Sequence, residues 1–164
     1  MARMIRQNPR ALETLTARIR ELDGKQVKVG WFESARYPDG TPVAMVAAVQ
    51  ELGSPSKNIP PRLGMRATAM RKWEEWKAVM LKGAKAVLAG AWKADQVMDA
   101  VGAKAAGDIA KHISEVWEPP LKESTVKARA RRYASRDATE SIRKPLVDTA
   151  RMISSLTHAV ENDK

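Results

Sequence analysis

A hydrolytic centre needs a nucleophile, a base and a group that orients the base, and the sequence offers two histidines, His112 and His158, as bases. Neither has a supporting motif. His112 stands beside Ile113 in a run of helical spacing, and His158 lies in a C-terminal stretch that reads as a strand, so both suit surface or boundary positions. Metal binding requires His, Asp or Glu gathered at ligand spacing. Asp95, Asp99 and Asp108 are instead spread along one helical run and interleaved with Lys93, Lys104 and Lys111, the pattern of a solvated face. Gly83, Gly90 and Gly102 follow no strand in a dinucleotide-binding pattern, so no phosphate loop is expected. With no cysteine, thiol nucleophiles, disulfides and cysteine-held zinc drop out together. The expectation is a protein that is not an enzyme and uses no metal or cofactor.

Charge and aromaticity are the remaining chemistry. The formal charge is +10, and Lys122 to Lys144 holds eight basic residues against three acids, half of the whole surplus. A basic helix there, with Lys127, Arg129, Arg131 and Arg132, reads either as a solvated face or as a contact for DNA or an acidic protein. Pro119-Pro120 just ahead of it makes a poor helix-turn-helix, which disfavours sequence-specific reading. Five of the eight aromatics are tryptophan. Trp73 and Trp76 share a helix face with Met80 and are expected in the core, whereas Trp31 and Phe32 are adjacent and must point to opposite sides of a strand. One of those two is expected to meet the core and the other a helix, solvent or a neighbouring subunit.

These residues have to be positioned by a chain of 164 residues, long enough for one cored domain. Leu12, Leu15, Ile19 and Leu22 have amphipathic helical spacing between Pro9 and the Asp23-Gly24 stop. Gln26 to Phe32 alternates as a strand, with Val27, Val29 and Trp31 on one side. Tyr37-Pro38-Asp39-Gly40 is a turn. Thr41-Pro42 predicts an N-cap and first position for a short helix closed by Gly53. Ser54 to Gly64 is too proline-rich for regular structure. A helix of about five turns through Trp73 and Trp76 to Gly90, then one through Val97, Val101, Ala105, Ile109 and Ile113 to Val116, predict an antiparallel hairpin. After Pro120 come the basic helix to Tyr133, an aperiodic Ser135 to Lys144, a short helix over Leu146 to Leu156, and a closing strand at Thr157 to Glu161. The fold class expected is α+β: a small antiparallel sheet packed with several helices, including a central helical hairpin. It is expected as one domain over 1–164, with 1–8 and 135–144 flexible or ordered only on assembly.

In order along the chain, Val29-Gly30-Trp31-Phe32, Ala35 to Ala44, Glu51-Leu52-Gly53-Ser54-Pro55 and Asn58-Ile59-Pro60-Pro61-Arg62 resemble the tail-completion, or head–tail joining, proteins of the tailed-bacteriophage neck, also called virion morphogenesis proteins. Lys144 to Met152, followed by Ile153-Ser154-Ser155-Leu156, is similar to that family's C-terminal signature, with Ala150 where glycine is common. The likeness runs from about Val27 to Val160. It implies a virion structural protein without catalysis, forming a six-fold ring with other copies of itself between the head and the tail tube. The partners implied are head connector or portal-adaptor proteins and tail terminator or tail-tube proteins, in a virion assembled in the bacterial host cytoplasm. Trp31, Phe32, Tyr37, Pro38, Asn58, Ile59, Pro60, Pro61 and Arg62 are the expected subunit or partner contacts. Lys127, Arg129, Arg131 and Arg132 would face the genome's path or an acidic neighbour. The alternative is a small basic nucleic-acid-binding module without catalysis. No run reaches the roughly 20 apolar residues of a membrane span, so no membrane partner is expected.

Overall fold

The computed structural model describes residues 9–62, 64–133, 141–146 and 150–163. The expectations for 1–8 and for most of the aperiodic stretch, residues 135–140, lie outside the described residues.

At the centre is a helical hairpin, α3 (Met65–Ala89) and α4 (Ala94–Glu115) in the numbering used here. The apolar positions of α4 recur at three and four residues, and Val97, Val101, Ala105, Ile109 and Ile113 are all buried. Close approach of the two helices depends on Gly83, where a Cβ would come within 2.9 Å of Val97 Cγ2. Gly90 closes α3 in the left-handed conformation, φ 82°, which lets its N–H reach the last carbonyls. α3 begins eight residues before Trp73, earlier than its apolar spacing indicates, because Glu51, 13 residues upstream of Gly64, supplies the missing cap. Its carboxylate accepts from the backbone N–H groups of Gly64 at 2.7 Å, Met65 at 3.0 Å and Arg66 at 3.0 Å.

Among the described residues the sheet has two strands, β1 (Lys25–Gly30) and β2 (Thr157–Asn162), antiparallel with Val27 opposite Val160 and Val29 opposite His158. Both strands lie on α4. Gly102 makes that fit possible: a Cβ there would collide with the His158 ring and sit 2.7 Å from Val27 Cγ2. The strand stops at Gly30, so Trp31 and Phe32 leave the ladder rather than extending it. Preceding β1 is α1 (Pro9–Asp23), found at its expected bounds. It is held at its C-terminal half by Arg18 Nη1 donating to Leu88 O at 2.7 Å and by Ala94 N donating to Glu21 Oε1 at 3.2 Å.

The second half of the core gathers around the end of α4. Val43 and Ala47 of α2 (Val43–Leu52) pack with Ile109, Ile113, Val116, Leu146 and Met152, each such side chain stabilising the fold by roughly 1–3 kcal/mol. Thr41-Pro42 does not open α2 as expected. Thr41 O is taken by Tyr37 N at 2.9 Å, which keeps Pro42 extended at ψ 131° and makes it the residue before the helix. The Tyr37–Gly40 turn is as expected, with Gly40 N bonded to Tyr37 O and Thr41 N to Asp39 Oδ1, both at 2.9 Å. Gly53, at φ 77°, ends α2, and a Cβ there would meet Pro61 N at 2.9 Å.

The proline-rich stretch carries one 3-10 turn over Pro55–Lys57 and a bridge between Ser54 and Ile59. Asn58, at φ 53°, adopts the left-handed conformation that asparagine tolerates. α5 covers Glu123–Arg132. Of the helix expected over Leu146 to Leu156, α6 occupies Arg151–Ser154 alone among the described residues; Leu146 lies in a turn and 147–149 are outside them. Ala150, just before α6, is held at φ 55°. The architecture is therefore α+β, a small antiparallel sheet on a helical hairpin with further helices around its end.

Candidate functional site

Of the expected contact residues, Tyr37 and Pro38 lie in the turn before α2 and Asn58 to Arg62 in the proline loop after it, while Trp31 and Phe32 follow β1. Pro38, Asn58 and Pro61 are exposed, while Phe32, Ile59 and Pro60 are half-buried. Trp31 and Tyr37 pack against the core cluster, and the Trp31 indole N–H donates to Met152 O at 2.7 Å. A hollow of about 440 Å³ between α2 and Trp31 runs down to Met152.

Arg62 corrects the sequence reading. It is 5% exposed and cannot be a surface contact. Its Nε donates to Pro119 O at 2.9 Å, Nη2 to Pro120 O at 3.1 Å and Nη1 to Gln50 Oε1 at 3.1 Å, and its backbone N–H bonds Gln50 O at 2.7 Å. The guanidinium thus ties the proline loop, α2 and the segment after α4 into one piece. Burial, and secondarily the positive charge of Arg129, pull its pKa below the usual arginine value.

The basic helix divides in the same way. Arg129 is 8% exposed and points inward, donating to Ile142 O at 3.4 Å, Lys144 O at 2.7 Å and Pro145 O at 3.2 Å. It cannot face DNA or an acidic neighbour, because its five-donor fork already closes the turn that precedes Leu146. Lys127, Arg131 and Arg132 are exposed. Lys127 and Arg131 are one turn apart on one face.

His158 lies between sheet and α4 with Nε2 2.8 Å from Asp99 Oδ1, and the His112 ring sits against Arg71 Nη2 at 2.6 Å. Asp108 accepts from Trp76 Nε1 at 2.8 Å and pairs with Lys104 at 2.6 Å. Burial raises its pKa, but the bonds from Lys104 and Trp76 outweigh that and hold it below the ordinary carboxylate range. Lys25 pairs with Asp95 at 2.8 Å. Asp95 and Asp99 are exposed, as on the expected solvated face, and each aspartate of α4 also has a particular cation or ring as its partner. Among the described residues no group of three or more His, Cys, Asp or Glu could hold a metal ion.

The other face of the hairpin is where sequence reasoning missed most. Trp73, expected in the core, is 61% exposed, with Leu81 at 54% beside it. They border an apolar groove of about 550 Å³ whose floor is Val101, Ala105 and Ile109 of α4 and whose far wall is Val27 and Val29 of β1. α1 adds a second apolar surface: of its amphipathic stripe, Leu12, Leu15 and Ile19 all look outward. The chain matches no protein-family model, no curated protein and no solved structure. The groove's signal in the sequence is the width of the apolar face of α3, since Trp73 and Leu81 stay exposed while Trp76 reaches Asp108 of α4. Among the described residues, no helix is long and apolar enough to cross a membrane.

Proposed function

We propose that this chain is a structural subunit of the phage neck, building a ring of its own copies that completes the tail and joins it to the head connector. The ordered likeness from Val27 to Val160 suggests that reading, and the observation that supports it most is the pair of apolar surfaces left open on a chain carrying +10 charge. Large uncovered apolar patches mark places where another protein sits. A closed ring joins two different patches on each subunit, and the exposed α1 stripe is proposed as one of them, while the hairpin groove is left for a different protein. Pro38, Asn58 and Pro61, all exposed, remain proposed contacts with ring or tail neighbours. Lys127, Arg131 and Arg132 are proposed to meet the genome or an acidic neighbour, through charge alone. On this reading the chain carries out no catalysis. The test is quantitation of the chain in purified phage particles. Several copies per particle, located at the neck, are expected. Absence from the particle, together with salt-sensitive DNA binding by a monomer, would favour the nucleic-acid-binding alternative.

A further inference from the structure

Hydrogen bonding along β1 leaves one side of the sheet unfinished. Asp163 N donates to Gly24 O at 2.9 Å, so in the antiparallel register Gln26, Lys28 and Gly30 turn their backbone groups toward β2. Lys25, Val27 and Val29 therefore turn theirs the other way, three N–H and three C=O groups on an edge that is open among the described residues. That edge borders the apolar groove, because β1 lines it and β2 does not. Two strands span about 10 Å, the width of one helix, and α4 already lies beneath both. α3 stands beside α4 in the helical layer and, among the described residues, has no strand above it; its stripe includes the exposed Trp73 and the half-buried Met80.

We propose that β1 takes up an extended segment of a partner protein as a third strand, lying in this groove over α3. This rests on the open strand edge and the uncovered helix together and does not depend on the neck reading. A single strand completes both at once: its backbone pairs with Lys25, Val27 and Val29, and its alternate side chains cover Trp73 and Met80. The sheet of a second copy does not fit, since each of its strands brings an α4 beneath it and α3 already fills that place. Arg66 and Lys77 line the groove but are already paired with Glu51 and Glu74, so the fitting segment is one whose apolar residues face the groove and alternate with polar ones facing solvent.

The probe is a synthetic peptide of about seven residues alternating valine with glutamate and threonine. The controls are the same residues scrambled to abolish alternation, and a helical peptide with the α1 sequence. Saturable binding of the alternating peptide is expected, with hydrogen exchange slowed about tenfold or more at the amides of Lys25, Val27 and Val29. Trp73→Ser is expected to weaken binding about tenfold while leaving the melting temperature unchanged. Equal binding of the scrambled peptide, or displacement by the α1 peptide, would overturn the proposal. So would failure to saturate by about 1 mM, or binding without protection of those three amides.

Discussion

The two sides of the hairpin are built by opposite means. Around the end of α4, buried polar groups close the structure: Arg62 and Arg129 are each surrounded by backbone carbonyls, and Glu51 caps α3 from another helix. Along β1 and the outer face of α3, apolar side chains and an unpaired strand edge are left uncovered. Charge in the sequence therefore does not always mark the surface here, and apolarity does not always mark the core. A charged side chain long enough to reach several carbonyls can hold loops that lack regular structure, whereas an apolar stripe wider than its partner helix has to wait for another molecule.

The sharpest way to break this comparison is to remove the buried guanidinium groups. Arg62→Ala and Arg129→Ala are each expected to lower stability by about 3 kcal/mol, because several buried carbonyls lose their donors at once. Lys127→Ala, two residues from Arg129 on the same helix, is expected to change it by less than about 0.5 kcal/mol. Urea unfolding of the three variants decides the matter, and similar effects at positions 127 and 129 would dissolve the distinction.

Glu51 sharpens it through pH. Burial raises the Glu51 carboxyl, but three backbone N–H groups and the Arg66 guanidinium overcome that and leave its pKa below the ordinary glutamate value. A folded-state pKa below the unfolded one means stability that is present above the unfolded value and lost as pH falls through the folded value. Glu51→Gln is accordingly expected to cost about 1–2 kcal/mol at neutral pH and to flatten the acid side of the stability curve. Thermal unfolding between neutral and acid pH measures both effects.

Ala150 tests strain on the closed side. At φ 55° it occupies backbone space that costs a β-carbon roughly 1 kcal/mol, so Ala150→Gly is expected to stabilise by about that amount in chemical denaturation. On the open side the expected effect is smallest. Trp73→Ser with Leu81→Ser should shift stability by less than about 0.5 kcal/mol while reducing binding of a hydrophobic dye. A large loss there would mean that these residues support the fold after all.

Much of the fold was legible in the sequence because local signals agreed: α1, the hairpin, the Tyr37 turn and both strands, apart from the Trp31-Phe32 end of the first, lie where spacing, glycine and proline put them. What was not legible depends on distant partners. No local rule links Glu51 to the start of α3, so that helix was read too short. Arg62 and Arg129 were read as surface because nothing local shows that Pro119, Pro120, Lys144 and Pro145 will offer carbonyls to them. Asn58, read as a contact, also has a backbone reason to be asparagine. Trp73 shares a helical stripe with Trp76, and spacing alone cannot say that only one of them faces a neighbour within the chain.

The most direct test of the account is native mass spectrometry of the purified chain over a range of concentrations. Apolar surfaces that serve assembly predict one closed species of defined copy number, lost in a Leu12→Ser, Ile19→Ser variant that keeps the wild-type melting temperature. A chain that stays monomeric throughout, or a variant that assembles unchanged, would contradict it.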